Sequence, residues 1–203
     1  PSKKPTILKL QQTMTTTKEM LSLVSTNCGV GVKQNSKGNR EVWIGGKLHI
    51  SAVDGDIPIT AIYSGANVHD SSVALPLIHE TSKRASYLYD LQDAGYDANI
   101  IREFSQKHGH RPIIDSNPKN SKELKVKIEL KLEEQKKFEL LNLPQSSDIH
   151  HYNQRSMVER VNKYLKEDFG CNTIYYQGAT KVASVLAFGI LSVCIHQSLK
   201  LVT

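Results

Sequence analysis

The runs "VWIGGKLHISAV", Val42–Val53, and "IPITAIY", Ile57–Tyr63, are dense in β-branched and aromatic residues and are separated by the three residues "DGD", Asp54–Asp56. Such runs suit a pleated, half-buried surface, and Asp-Gly between them is a hairpin signal. Working outward, Asp70, Ser71 and Ser72 supply cap chemistry for a helix running through Thr81. Ala85–Asp90 reads as a third long strand leading to Asp93. Ala98–His108 reads as a helix stopped by Gly109, and Arg111–Asp115 as a short buried strand ending before Pro118. Upstream, Met20–Val24 reads as a short first strand and "VGVKQNSKGNR", Val30–Arg40, as a loop rich in Gly, Asn and Lys. A strand hairpin followed by alternating helix and strand predicts an α/β fold, a mixed sheet with flanking helices.

The 203 residues are 39% apolar and 23% charged, enough for one well-buried domain. A net charge of +6 and a pI near 9.1 favour a polyanionic partner. Cys28, Cys171 and Cys194 lack metal-ligand spacing and, being odd in number, read as free thiols in a reducing, cytoplasmic compartment. The longest apolar run, Val182–Ile195, is shorter than a bilayer span and reads as a buried core helix, so no membrane partner is expected. The opening twenty residues are rich in Lys and Thr, and residues 1–19 are expected to be poorly structured, with the domain occupying 20–203. Asn117–Gln145 is expected to be an insertion. Its "KVKIELKL", Lys125–Leu132, alternates like a strand amid the charge density of a solvated helix, and both readings stay open.

Near the C-terminus, Tyr152, Arg155, Glu159 and Lys166 project within about 60° of one another at 100° per residue. Met157, Val158, Val161, Tyr164 and Leu165 fall opposite, so the segment reads as one amphipathic helix. Taken alone, the polar row is a solvated face laced with ion pairs.

The spacing Tyr-x2-Arg-x3-Glu-x6-Lys resembles the signature around the last catalytic carboxylate in a branch of bacterial DDE-type insertion-sequence transposases. Trp43–Ser72 is similar to the paired strands and His-Asp turn of those enzymes, and "LQDAGYDANIIREF", Leu91–Phe104, to the segment bearing their second catalytic Asp. The resemblance covers roughly residues 20 to 200 and rests on three motifs in order. It implies a ribonuclease H-like fold and metal-dependent cleavage and strand transfer at double-stranded transposon ends, with a homodimer on that DNA. The expected catalytic and metal-binding residues are Asp93 and Glu159. Hard Mg2+ or Mn2+ suits them, because such ions prefer carboxylate oxygens drawn from distant parts of a chain. The expected DNA-binding residues are Tyr152, Arg155 and Lys166, the cations spanning about 16 Å along the helix. His49, His69, His150 and His151 have no zinc-like spacing and receive no catalytic role. Such transposases usually carry a helical DNA-end-binding segment before the core. The chain opens at Pro1 without one, and is read as a fragment.

The first catalytic Asp of the family precedes a Ser-Thr pair. The matching stretch here is "LVSTNCG", Leu23–Gly29, which puts Val24 at the Asp position and Asn27 as the nearest polar substitute. No Asp or Glu lies between Met20 and Arg40. The resemblance therefore implies an impaired copy, unless Asp54, Asp56 or Asp70 substitutes; the first two read as turn residues and Asp70 as a helix cap. The rival readings are a catalytically inactive DNA-binding remnant or regulator of transposition, and a ribonuclease H-like nuclease unrelated to transposition.

Overall fold

The computed structural model describes residues 6–34, 38–115 and 154–202, together with Val126, Glu129, Leu130, Leu132, Glu133, Glu134 and Lys136. It divides into two compact units, residues 1–86 with 156–203, and residues 87–155.

The first unit is built on the expected hairpin. Strands β2 (Arg40–Val53) and β3 (Ile57–Gly65) pair antiparallel from Gly46↔Gly65 to Val53↔Ile57, with a bulge at Ser51/Ala52. Gly55 at φ 82° and Asp56 at φ 58° close the turn, two residue types that tolerate left-handed backbone. Strand β1 (Gly29–Gln34) pairs with the outer half of β2, from Gly29↔Gly45 to Gln34↔Arg40. This corrects the loop expected from Val30. Its glycines signalled a turn locally, but the long β2 offers a ladder, Lys33 pairs with Glu41 at 3.0 Å, and Val30 and Val32 face Ile44 and Val42.

The expected strand at Met20–Val24 is instead the end of helix α2 (Thr17–Ser22) and the residues after it. The cause is local. Thr16 accepts from the Glu19 backbone N–H while the Glu19 carboxylate accepts from the Thr16 N–H, a reciprocal capping box that outweighs the apolar run. Residues 1–19 are likewise not structureless where described. Helix α1 (Ile7–Gln11) ends in a fully buried Gln11 whose Nε2 donates to the Met20 and Ser72 carbonyls at 3.1 and 2.9 Å.

Alternation along the strands sends side chains to two faces, and helices cover both. On one, Val24 and Ile62 pack with Val73, which ends a short 3₁₀ segment (Asp70–Val73) leading into α3 (Ala74–Arg84). On the other, Ile50 packs with Val161 of α5 (Ser156–Lys163), Leu165 of a π-helical turn (Tyr164–Asp168), and Val193 of α6 (Ala179–Val202). A Cβ on Gly189 would collide with Cys171 Sγ, so glycine lets α6 lie this close. At 24 residues α6 is longer than the apolar run suggested, and by length and composition alone it could cross a membrane. It is not the buried core helix expected: it buries one stripe, Leu186, Gly189, Val193 and Gln197, while Phe188, Leu191, Ile195 and Val202 are exposed.

In the second unit, β4 (Tyr89–Gln92) and β5 (Arg111–Ile114) pair parallel from Tyr89↔Arg111 to Gln92↔Ile114, connected through α4 (Asn99–Lys107). The strand expected over Ala85–Asp90 is shorter and later, because β5 offers only four partners. Tyr87 instead stacks on His110 at 3.8 Å and accepts from its Nδ1 at 2.8 Å. Between the two readings of Lys125–Leu132, the described residues there are helical and exposed; the remainder, and the caps expected at Ser146–Asp148, lie outside the described residues. The described residues form a mixed α/β architecture consistent with a ribonuclease H-like fold, a three-stranded antiparallel sheet in one unit and a two-stranded parallel sheet in the other, with no closed barrel among them.

Leu165, 2% exposed, joins the helix layer to the sheet. Leu165→Ala should cost about 2–4 kcal/mol, measured as a lower urea midpoint at unchanged slope.

Candidate functional site

The signature segment folds as an amphipathic helix, but not as one straight row. Val161 and Leu165 are buried and Val158 and Tyr164 partly so, while Glu159 and Lys166 are exposed, as the periodicity requires. Regular helix ends at Lys163, after which the backbone widens into the π turn, with the Phe169 N–H bonded to the Tyr164 carbonyl at 3.1 Å. Lys166 stands on that turn, so the 100° projection does not carry to it. Arg155 lies half-buried in a turn before the first helical residue, at the end of the second unit, and Tyr152 lies outside the described residues. Of the four residues, Glu159 on α5 and Lys166 beyond it are exposed among those described.

Arg160, which the sequence reading passed over, holds α5 to the hairpin. Its Nε and Nη2 donate to the Asp56 carboxylate over 2.7–2.9 Å, and Asp56 in return raises the guanidinium pKa. Asp56 is therefore committed to structure. Asp54 is exposed in the same turn.

Asp93 directly follows β4. It caps the 3₁₀ turn Ala94–Tyr96, accepting from the Gly95 N–H at 2.9 Å, and it stands exposed at the C-terminal end of a parallel strand. That end is where open α/β sheets place their ligands. Asp115 follows β5 at the matching register and is also exposed. An acid ending an apolar strand was the available signal for it. Asp90, three residues before Asp93, is structural: Ser105 Oγ and Gln92 Nε2 donate to it at 2.8 and 3.1 Å, and burial pushes its carboxyl above the usual carboxylate range.

Val24, matched in sequence to the first catalytic Asp, is a core residue, 7% exposed and packed on Ile62 and Val73. A carboxylate there would be stripped of water among apolar side chains. Asn27, three residues on, is exposed in a loop tied to the end of β3 by the Gly65 N–H donating to the Ser25 carbonyl at 2.8 Å. Asp70 is not the cap it was expected to be. His69 caps, accepting from the Ser71 N–H, and Asp70 turns to Lys47 Nζ at 3.1 Å. His49 is buried, bonded through Nε2 to Ser64 Oγ at 2.8 Å, and desolvation holds its pKa below the ordinary value against the pull of Asp70.

Among the described residues, no three His, Cys, Asp or Glu side chains gather as a metal-ligand set. Asp93 and Glu159 are each exposed, hard-oxygen donors of the type that Mg2+ takes, one in each unit. In donor chemistry each carboxylate suits such an ion.

A family model described as "Transposase DDE domain" matches residues 14–195. No curated protein and no solved structure matches the chain.

Because the folded-state pKa of Asp90 is raised, its contribution to stability is fully present below the ordinary carboxylate value of 3.8 and is lost as pH rises through the folded value. Asp90→Asn removes that titration. Between about pH 4 and about pH 7 the urea midpoint of the variant should fall less, or rise more, than that of the parent. Equal pH dependence in the two proteins would contradict the assignment.

Proposed function

The chain belongs to the DDE transposase domain family, and we propose that it binds transposon-end DNA through Tyr152, Arg155 and Lys166, and that Asp93 and Glu159 are two carboxylates of a divalent-metal site left incomplete in this copy. The observation that carries this reading is Glu159 itself. The signature spacing and its exposed position on a helix anchored by Val161 support this reading, within the span that the family model matches. Mg2+ or Mn2+, when bound, lowers the pKa of the attacking water or 3′-hydroxyl and neutralises charge building on the phosphate. Asp93 and Glu159 would hold it. Arg155 suits a bidentate phosphate contact and Lys166 a point charge.

The incompleteness is read at Asn27. Between Met20 and Arg40 there is no carboxylate, and of the two positions raised by the sequence, Val24 is buried in the core whereas Asn27 is exposed. An amide at Asn27 supplies neither the charge nor the basic oxygen that a metal-bound Asp would. The same observation favours a second reading, a catalytically inactive regulator that occupies DNA ends.

Nicking of a labelled transposon end with Mg2+ separates the two. The parent chain should not cleave. Asn27→Asp should restore metal-dependent cleavage, while Val24→Asp should leave it absent and lower the unfolding midpoint. DNA binding by Asn27→Asp without cleavage would favour the regulator.

In a salt titration of DNA binding, each lost phosphate contact reduces the slope of log K against log salt by about 0.9. Arg155→Ala and Lys166→Ala should each weaken binding and flatten the slope by about that amount; an unchanged slope would place the DNA elsewhere on the chain.

A further inference from the structure

Arg160 is the neighbour of Glu159 in α5, and its guanidinium makes a fork across to the β2–β3 turn. Nε donates to both oxygens of Asp56 at 2.9 and 2.8 Å, Nη2 donates to Oδ1 at 2.7 Å, and Nη1 donates back to Ser156 Oγ at 3.0 Å. Both ends of this link are themselves held. Asp56 sits in left-handed backbone at the end of a hairpin turn, its side chain 13% exposed, with Val53 and Ile57 paired on either side. Arg160 is followed by the fully buried Val161.

Apolar contacts are non-directional, so Val158 and Val161, with Leu165 on the turn that follows, decide which face of α5 meets the sheet but set its roll only coarsely. A planar guanidinium on a carboxylate is directional, and the fork adds what the stripe lacks. An ion pair whose arginine is half-exposed contributes little energy. Its consequence is geometric. One residue of helix is 100° of rotation, so fixing Arg160 fixes the direction in which Glu159 leaves the helix.

We propose that Asp56 and Arg160 are positioning residues for Glu159: their fork sets the roll of α5 and thereby aims the Glu159 carboxylate. This rests on the reading of Glu159 as a metal-binding carboxylate. It also gives Asp56 a role other than that of a replacement catalytic acid, since both of its oxygens are taken by Arg160.

The test is titration of the full chain with Mn2+, the free ion being followed by electron paramagnetic resonance, in the parent, Glu159→Gln, Asp56→Asn, Arg160→Lys and the double variant Asp56→Asn with Arg160→Gln. Asn tolerates left-handed backbone as Asp does, so Asp56→Asn removes the charge and leaves the turn. Glu159→Gln should weaken Mn2+ binding. Asp56→Asn should weaken it about tenfold, the lower end for groups that orient a metal ligand, with circular dichroism close to the parent's. Arg160→Lys should fall between parent and Asp56→Asn, because an ammonium restores the charge but not the fork. The double variant should be no weaker than Asp56→Asn, since both substitutions remove one link. Parental affinity in Asp56→Asn alongside a weakened Glu159→Gln overturns the positioning role alone. Parental affinity in Glu159→Gln overturns the reading of Glu159 and the positioning role with it. Should Asp56→Asn fail to fold, Arg160→Lys decides, parental affinity counting against the proposal and a partial loss for it.

Discussion

A hairpin whose two faces must both leave water is the constraint from which the first unit follows. Successive residues of β3 point to opposite sides, so Ile62 demands one cover and Ala61 another. The chain meets the first demand with residues close in sequence, Val24 and Val73, and the second with residues about a hundred positions away, Val161, Leu165 and Val193. Glu159 is exposed because its helix is spent on the second task. A helix that must bury Val161 and Leu165 has its other face left for chemistry.

Several carboxylates are engaged by side chains that the fold brings opposite them. Asp56 is at the hairpin turn, near enough to α5 to be claimed by Arg160; Asp70 is claimed by Lys47 of β2; Asp90 is claimed by Ser105 and Gln92. Asp93 and Glu159 are exposed, one at a strand's C-terminal end and one on a helix flank.

Much of this was legible in the chain. The hairpin at Asp54–Asp56, the helix ended by Gly109, the buried stripe of Val158, Val161 and Leu165, and the position of Asp93 just past a strand all follow from local rules of alternation, helical period and turn chemistry. Two of the misreadings share a cause. Gly29–Gln34 became a strand only because β2 extends far enough to pair with it, and Ala85–Leu88 stayed outside the sheet because β5 is four residues long. At Met20 the error ran the other way: an apolar run suggested strand, although the capping box just before it was already written in Thr16 and Glu19.

The sequence by itself determined the family, the order of the elements from the β2–β3 hairpin through β5 and the identity of the candidate acids, because motif spacing, residue period and cap chemistry act over a few residues. Only the tertiary structure decided that Val24 belongs to the core while Asn27 is exposed, that the signature helix widens at Tyr164, and that Arg160 reaches Asp56 across 104 positions. Burial and long-range pairing depend on what the fold brings opposite a residue, and no local pattern contains that information.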